Sequence, residues 1–349
     1  MKIVVLCGGL SMERNVSITS GTLICKALRE LGHKAILVDM YYGLEDCDVP
    51  VEALFDNLPE ITEARVGEMA PDLEAVKAAR KWQSPSKVGK GVFDLCALAD
   101  VVFLGLHGAC GEDGRIQAAL DLMGVPYTGS GYLGSAIAMD KDLTKQLASA
   151  AGVRTPKWRM VYYDRADTLK QAADIGLPCV VKPVDSGSSI GVAIAHTQDE
   201  LTAALETNRP LGRAIVEQYI KGREIDVGVL KGRSLPSIEI IPKKGFYDYV
   251  NKYQAGATVE ICPSPIDPAT EAELGRMALK VHNLLGLKGY SRSDYMVDER
   301  GDVYFIEMNT LPGMTPTSLM PQEAAAVGID YKALCQMIVD DALEGRVRA

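Results

Sequence analysis

Ile3-Val4-Val5-Leu6-Cys7 is a short apolar run that ends at the double glycine Gly8-Gly9. A run of this length bounded by a turn signal predicts a buried strand at 2–7. Leu23, Ala27, Leu28 and Leu31 then recur at the spacing of one helix face, which stops at Gly32. Further strands are predicted at 35–38 and 101–106. Ile116, Ala119, Leu120 and Met123 form a helix face closing at Gly124. Strands and helices alternating in this order predict a doubly wound parallel sheet covered by helices. Residues 43–90 interrupt the rhythm and are polar and irregular, with one short helical pattern at 72–81.

Beyond Tyr127-Thr128-Gly129-Ser130-Gly131 the texture changes. A helix is predicted at 133–150, short strands at 158–162, 178–182 and 191–195, a helix at 198–207 and a strand at 214–217. From residue 224 onward, period-2 alternation dominates, as in Ile225, Val227, Val229 and Ile238, Ile240. The expected units are therefore 1–130, 131–217 and 218–349, α/β followed by α+β. At 349 residues, three packed cores are affordable in length. A net charge of −9 argues against nucleic acid as a partner, because phosphate backbones select basic surfaces. No apolar run reaches the ~18 residues of a membrane span, and the opening run meets Gly8 too soon for a signal peptide. Eight scattered cysteines without a C-x-x-C pair read as thiols of a reducing compartment. A cytoplasmic protein without a membrane partner is the expectation.

The most informative segments are 291–298 and 303–309, which flank the turn Glu299-Arg300-Gly301-Asp302. If the hairpin closes on that turn, Asp298 faces Val303, Asp294 faces Glu307 and Arg292 faces Asn309, all four inner side chains on one face. Facing carboxylates repel, so they need either water or a bound cation. Two carboxylates and an amide offer only oxygen donors, which suits Mg²⁺ shared with phosphates. The bland alternatives are an exposed hairpin and a one-residue slip of register.

Lys182-Pro183-Val184-Asp185-Ser186-Gly187-Ser188-Ser189-Ile190-Gly191 places a lysine at a strand end before a small-residue loop, a phosphate-binding pattern or an ordinary turn. It lacks the Walker spacing. Gly8-Gly9 likewise lacks the third glycine of a dinucleotide fingerprint, which weakens an NAD oxidoreductase. Glu13 sits just after that turn and suits a substrate ammonium or a plain helix start. His107, in the loop 106–114, is either structural or a site residue. The stretch 246–253 reads as an aromatic hairpin or as a cover over a reactive site.

Taken in order, these motifs resemble the D-alanine–D-alanine ligase family of the ATP-grasp superfamily. The resemblance spans about residues 1–330. It rests on Gly8-Gly9 through Glu13-Arg14 with Val16-Ser17, His107-Gly108 with Gly111-Glu112-Asp113-Gly114, Pro126 through Gly131, Met139-Asp140-Lys141, Lys182-Pro183 with Gly187 through Gly191, Phe246 through Tyr249 with Lys252-Tyr253, Arg292 with Asp294, and Glu307, Asn309-Thr310 and Pro312 through Thr315. The resemblance implies an ATP-grasp fold and a bacterial cell-wall role, joining two D-alanines through an acyl phosphate. It implies ATP contacts at Lys141, Lys182, Glu217, Gln218, Tyr219, Ile220, Glu224 and Lys252. It assigns Asp294, Glu307 and Asn309 to Mg²⁺, two ions per site with Mn²⁺ able to substitute. Glu13, Val16 and His107 correspond to the first-substrate pocket, Arg292 and Gly313 to the oxyanion donors, and Ser318 and Leu319 to the second-substrate pocket. Glu13, Ser188 and Tyr253 match a hydrogen-bonded trio that holds the closed loop. Relatives form homodimers, so a homodimer is expected. Leu10 and Asn15, Ser293, and Pro316-Thr317 depart from the family pattern, and the last two departures touch the second-substrate pocket and leave a D-alanine–D-serine ligase, or another carboxylate–amine dipeptide ligase, as the alternative. A nucleotide-binding regulator that has lost catalysis is the rival from another class, and the intact lysines, acids and Arg292 speak against it.

Overall fold

The computed structural model describes residues 1–61, 71–165, 167–185, 187, 191–243 and 256–344. Three sheets organise it. β1 (Lys2–Cys7), β2 (Lys34–Asp39) and β3 (Val101–Leu104) form a parallel sheet in the order β2-β1-β3. Ile3, Val4, Val5 and Leu6 are all buried, as a strand covered on both faces requires. The helix Arg14–Glu30 makes the crossover from β1 to β2 and packs on both. The last described helix, Tyr331–Glu344, returns from the far end of the chain to lie against it and against β3.

Among the described residues of the irregular 43–90 stretch, one side chain gathers the segment 80–88 against Tyr41. Arg80 is buried, with its guanidinium 4.4 Å from the ring centre of Tyr41 and 4.8 Å from that of Trp82. It donates to the carbonyls of Ser86 and Val88. The predicted helix at 72–81 is observed as Leu73–Ala79, capped by the Asp72 carboxylate. A helix at Val92–Ala97 was not apparent in the pattern.

The second sheet holds β4 (Trp158–Tyr162), β5 (Cys179–Pro183), β6 (Ala193–Ala195) and β7 (Arg213–Gln218), antiparallel in the order β4-β7-β5-β6. The helix Gln198–Asn208, with a Thr197/Glu200 capping box, closes over β5 and β6. The third sheet runs β11-β10-β8-β12-β13, with β9 beside β8. Its strands are β8 (Gly222–Leu230), β9 (Arg233–Ser234), β10 (Ile238–Pro242), β11 (Thr258–Ile261), β12 (Tyr290–Asp298) and β13 (Val303–Asn309).

Two expectations need correction. The single helix at 133–150 is two helices, Tyr132–Met139 and Lys141–Ala150. Asp140 breaks it: its backbone is extended and its carboxylate accepts from the N–H groups of Asp142 and Leu143, 3.1 Å each. A short acidic side chain competes for backbone donors and so starts a helix better than it continues one. Both helices pack on β13 of the third sheet. The β12–β13 hairpin also closes differently, with Val297, not Asp298, opposite Val303. A β-bulge at Ile306 then adds one residue, so that Asp294 still faces Glu307 and Arg292 still faces Asn309.

Candidate active site

A cavity of about 470 Å³ lies between the second and third sheets. Lys182 at the end of β5 and Glu217 and Gln218 of β7 line one side, and Glu224 of β8, Asp294 of β12 and Glu307 of β13 the other. Tyr219 and Ile220 close the connection between the sheets, and Lys141 enters from the start of its helix. The split at Asp140 is what aims Lys141, whose backbone N–H donates to Val184 O, 3.1 Å away. Of the expected nucleotide residues only Lys252 lies outside the described residues, as do Ser188, Tyr253 and the stretch 246–253.

Glu217 is the electrostatic centre of this cavity. Its carboxylate stands 2.6 Å from Lys182 Nζ and 2.8 Å from Lys145 Nζ, and Lys145 donates onward to Thr155 Oγ1 at 2.7 Å. Burial pushes the Glu217 carboxyl up, but the two ammonium groups outweigh it and hold the group below its usual range. Burial takes Lys145 down to about 8 against the pull of Glu217. The sequence reading missed Lys145. Its position on the buried face of Lys141–Ala150, beside Thr144 and Ala148, was the available signal.

At the floor, the Arg292 guanidinium forks onto Asp294 through Nε at 3.0 Å and Nη2 at 3.1 Å. Asn309 Nδ2 reaches Asp294 at 3.2 Å, and Lys141 Nζ stands 3.4 Å from Glu307 Oε2. Among the described residues no group of three His, Cys, Asp or Glu is arranged to hold a metal ion. The set on this face is two carboxylates and an amide, which leaves coordination positions to phosphate oxygens and water, as Mg²⁺ prefers. The lining itself asks for a cation. Lys141, Lys182 and Arg223 face Glu217, Glu224, Glu239, Asp294 and Glu307, an excess of carboxylates among the described residues that would repel a bare polyphosphate. The residues present therefore fit a divalent ion.

A second cavity, of about 390 Å³, opens on the other side of Glu307. Glu13, Val16, His107, Arg292, Gly313, Ser318 and Leu319 all line it, joined by Glu112, Glu260 and Asn309. The glycine loops make this convergence possible. A side-chain carbon at Gly187 would stand 2.5 Å from Glu13 Oε2, and one at Gly108, where φ is +65°, 3.0 Å from it. Gly313 is similarly close to Ser318, whose Oγ lies 2.8 Å from Thr315 Oγ1 and 3.1 Å from Thr315 N. Ser318 is also the cap residue of the helix Leu319–Ala326, so the positive end of that helix faces the cavity.

His107 is buried, and its Nδ1 lies 2.9 Å from the carbonyl of Leu311. A carbonyl only accepts, so Nδ1 carries the proton and Nε2 is left as an acceptor. Burial lowers the pKa of this ring, the Glu13 charge and the Leu311 bond opposing, and Nε2 has no hydrogen-bond partner among the described residues. Glu112 was passed over in the sequence. It accepts from Gly108 N at 2.7 Å and Leu311 N at 3.3 Å, and burial, with Glu13 nearby, raises it to about 8. It ties the 106–114 loop to the chain after β13. Asp226 of β8, directly opposite Asp294, was also missed.

Comparison with known proteins gives the family this chain resembles along its length. Residues 2–130 match the family model described as D-ala D-ala ligase N-terminus, and residues 147–340 the one described as D-ala D-ala ligase C-terminus. A D-alanine–D-alanine ligase of Pediococcus pentosaceus is 40% identical over 342 residues, covering 97% of each chain. One from Lacticaseibacillus casei is 41% identical over 346 residues, 99% of this chain and 96% of that one. Among solved structures, the D-alanine–D-alanine ligase of Bacillus anthracis complexed with ATP superposes with a TM-score of 0.75 at 28% identity, covering 100% of this chain and 99% of that one. No described helix is long and apolar enough to cross a membrane.

Proposed function

The chain belongs to the D-alanine–D-alanine ligase family, whose reaction is the ATP-dependent ligation of two D-alanines, and we propose that it performs this reaction with the residues lining the two cavities. The observation that carries the assignment is the position of Glu307, which lines both the nucleotide-sized cavity and the smaller acidic one. A group passed from a nucleotide to a small acid must cross such a junction.

In this reading Gln218, Tyr219 and Ile220 take the adenine edge, Glu224 the ribose, and Lys141 and Lys182, with Lys252, the phosphates. Glu217 works through its lysines, fixing Lys182 by the 2.6 Å ion pair. Asp294, Glu307 and Asn309 would hold Mg²⁺, two ions per site with Mn²⁺ able to replace them. The ions supply charge neutralisation between the phosphates and the attacking acid. Glu13 and His107 Nε2 both accept hydrogen bonds, which suits the ammonium of the first D-alanine beside Val16. Its carboxylate attacks the γ-phosphorus of ATP, giving an acyl phosphate and ADP. The second D-alanine lays its carboxylate on the helix start at Ser318 and Leu319 and attacks the acyl carbon with its amine. Arg292 and the Gly313 N–H receive the oxyanion, which collapses to the dipeptide and phosphate. Ser188 and Tyr253 with Glu13 exclude water from the acyl phosphate.

We extend the proposal to the three units 1–130, 131–217 and 218–349, with the helices between 132 and 150 docked on the sheet of the third, to a homodimer, and to a cytoplasmic role in peptidoglycan precursor synthesis. The test is ADP release with D-alanine, D-serine, D-lactate or L-alanine supplied in pairs. D-alanine-dependent release is expected, and release only with L-alanine would overturn the reading.

A further inference from the structure

Arg292 is held from two directions. On β12 it faces Gly228 of β8, and Asp294 two residues on faces Asp226. Directly opposed residues share a face, so the guanidinium, both aspartates and the gap above Gly228 lie on one side of the sheet. Asp226 Oδ2 stands 2.8 Å from Arg292 Nε as an ion-pair contact, the N–H of that nitrogen being given to Asp294 Oδ1 at 3.0 Å, and neither Asp226 oxygen accepts a hydrogen bond among the described residues. Asp226 is 1% exposed and lines neither cavity. It therefore touches Arg292 without being in reach of either substrate.

The position opposite Arg292 is equally specific. Glu323, fully buried on the helix Leu319–Ala326, accepts the Gly228 N–H at 2.9 Å. A side-chain carbon at Gly228 would stand 2.5 Å from Glu323 Oε2, so the glycine is what admits this carboxyl. The helix that begins at the second-substrate pocket is thereby tied to the strand carrying Asp226.

The consequence concerns the division of labour between the two aspartates. Under the proposed function Asp294 gives its oxygens to a cation, and every lone pair so engaged weakens its fork on Arg292. A guanidinium recognises its target through a rigid planar fork, so losing its anchor would let it swing away from the reacting carbonyl. We infer that Asp226 is the positioning residue of Arg292: it keeps the guanidinium aimed at the acyl group whichever partner Asp294 has. This inference rests on the ligase reading, since it assigns a task to the oxyanion donor of that reaction.

A double-mutant cycle tests it. Asp226→Thr suits a strand but is too short to reach Nε, and it should lower kcat about tenfold while leaving KM for ATP within about twofold. In an Arg292→Lys background, the same substitution should change kcat by less than about twofold, because the contact is already gone. Melting temperatures of the four unliganded proteins should show the same non-additivity, with no nucleotide or metal present. Asp226→Asn, which keeps an oxygen for Nε, should lose less than Asp226→Thr and show the same dependence on Arg292; it carries the test if the threonine variant does not fold. Equal losses in both backgrounds, additive melting shifts, or wild-type kcat in Asp226→Thr would each overturn the inference. Wild-type protein without D-alanine-dependent ADP release would overturn the functional reading instead, and the unliganded melting cycle would still report on the contact.

Discussion

The two cavities that meet at Glu307 handle buried charge in opposite ways. On the nucleotide side, Glu217 is matched by two lysines within 2.8 Å, and its pKa falls despite burial. On the other side, Glu112 is stabilised mainly by backbone N–H groups, and its pKa climbs to about 8. His107, beside it, is pushed toward the neutral form. A charged triad makes a rigid receptor for a highly charged ligand. Neutral acceptors beside a carboxyl that keeps its proton make a receptor for a zwitterion, whose ammonium brings positive charge to the site. The contrast is one of preorganisation: Glu217 is paired with its lysines before a ligand arrives, whereas the acceptors of the second cavity are completed by theirs.

The sharpest way to break this contrast is at the junction. Glu307→Gln should reduce kcat at least about 100-fold with the far-ultraviolet circular dichroism unchanged, because one carboxylate serves both cavities. Near-normal ADP release would show that the cavities work without a shared acid. On the nucleotide side, Lys145→Met should destabilise the protein by about 3 kcal/mol in denaturant titration, since it strips one partner from a buried carboxylate. KM for ATP should rise with it. On the substrate side, His107→Ala should raise KM for D-alanine about tenfold and leave KM for ATP within about twofold. A parallel rise in both constants would mean that the two sites are not separate.

The gentlest probe is pH. Glu112 keeps its proton in the folded protein up to about pH 8, whereas an unfolded glutamate loses it near 4.5. Between those values the folded state binds the extra proton, so this group's stabilisation is complete below about pH 4.5 and is lost as pH rises toward 8. One group gives a slope of at most about 1.4 kcal/mol per pH unit. Glu112→Gln mimics the protonated form and should flatten the fall in melting temperature between pH 5 and 8. An unchanged slope would assign that fall to other groups.

The site hairpin shows how sequence and structure divide the information. Acids at 294 and 307 were expected to face one another from an assumed turn, and they do. Yet the turn closes one residue differently, and only the bulge at Ile306 restores the pairing. Period-2 alternation fixes which residues share a face, but a bulge leaves no mark in that pattern. The unbroken helix expected at 133–150 failed for a related reason. Apolar periodicity continues through Asp140, while the cap it makes depends on local backbone geometry. Lys145, Glu112 and Asp226 were passed over because a charged residue on a helix face, in a glycine loop or on a strand looks alike along the chain, whether or not a partner from another element waits for it.

Local pattern thus determined the parallel opening sheet, the antiparallel strands that follow, the glycine loops and the ordered motifs that identify the family, since each depends on neighbours a few residues away. Tertiary structure alone decided that Glu217 stands between two lysines, that Asp226 backs Arg292 and that one glutamate joins two cavities. Those facts are set by residues far apart in the chain: Lys145 and Glu217, Asp226 and Arg292, and, around the second cavity, Glu13 and Glu307. Burial and the approach of oppositely charged groups arise only when distant elements pack, and no window along the chain contains them.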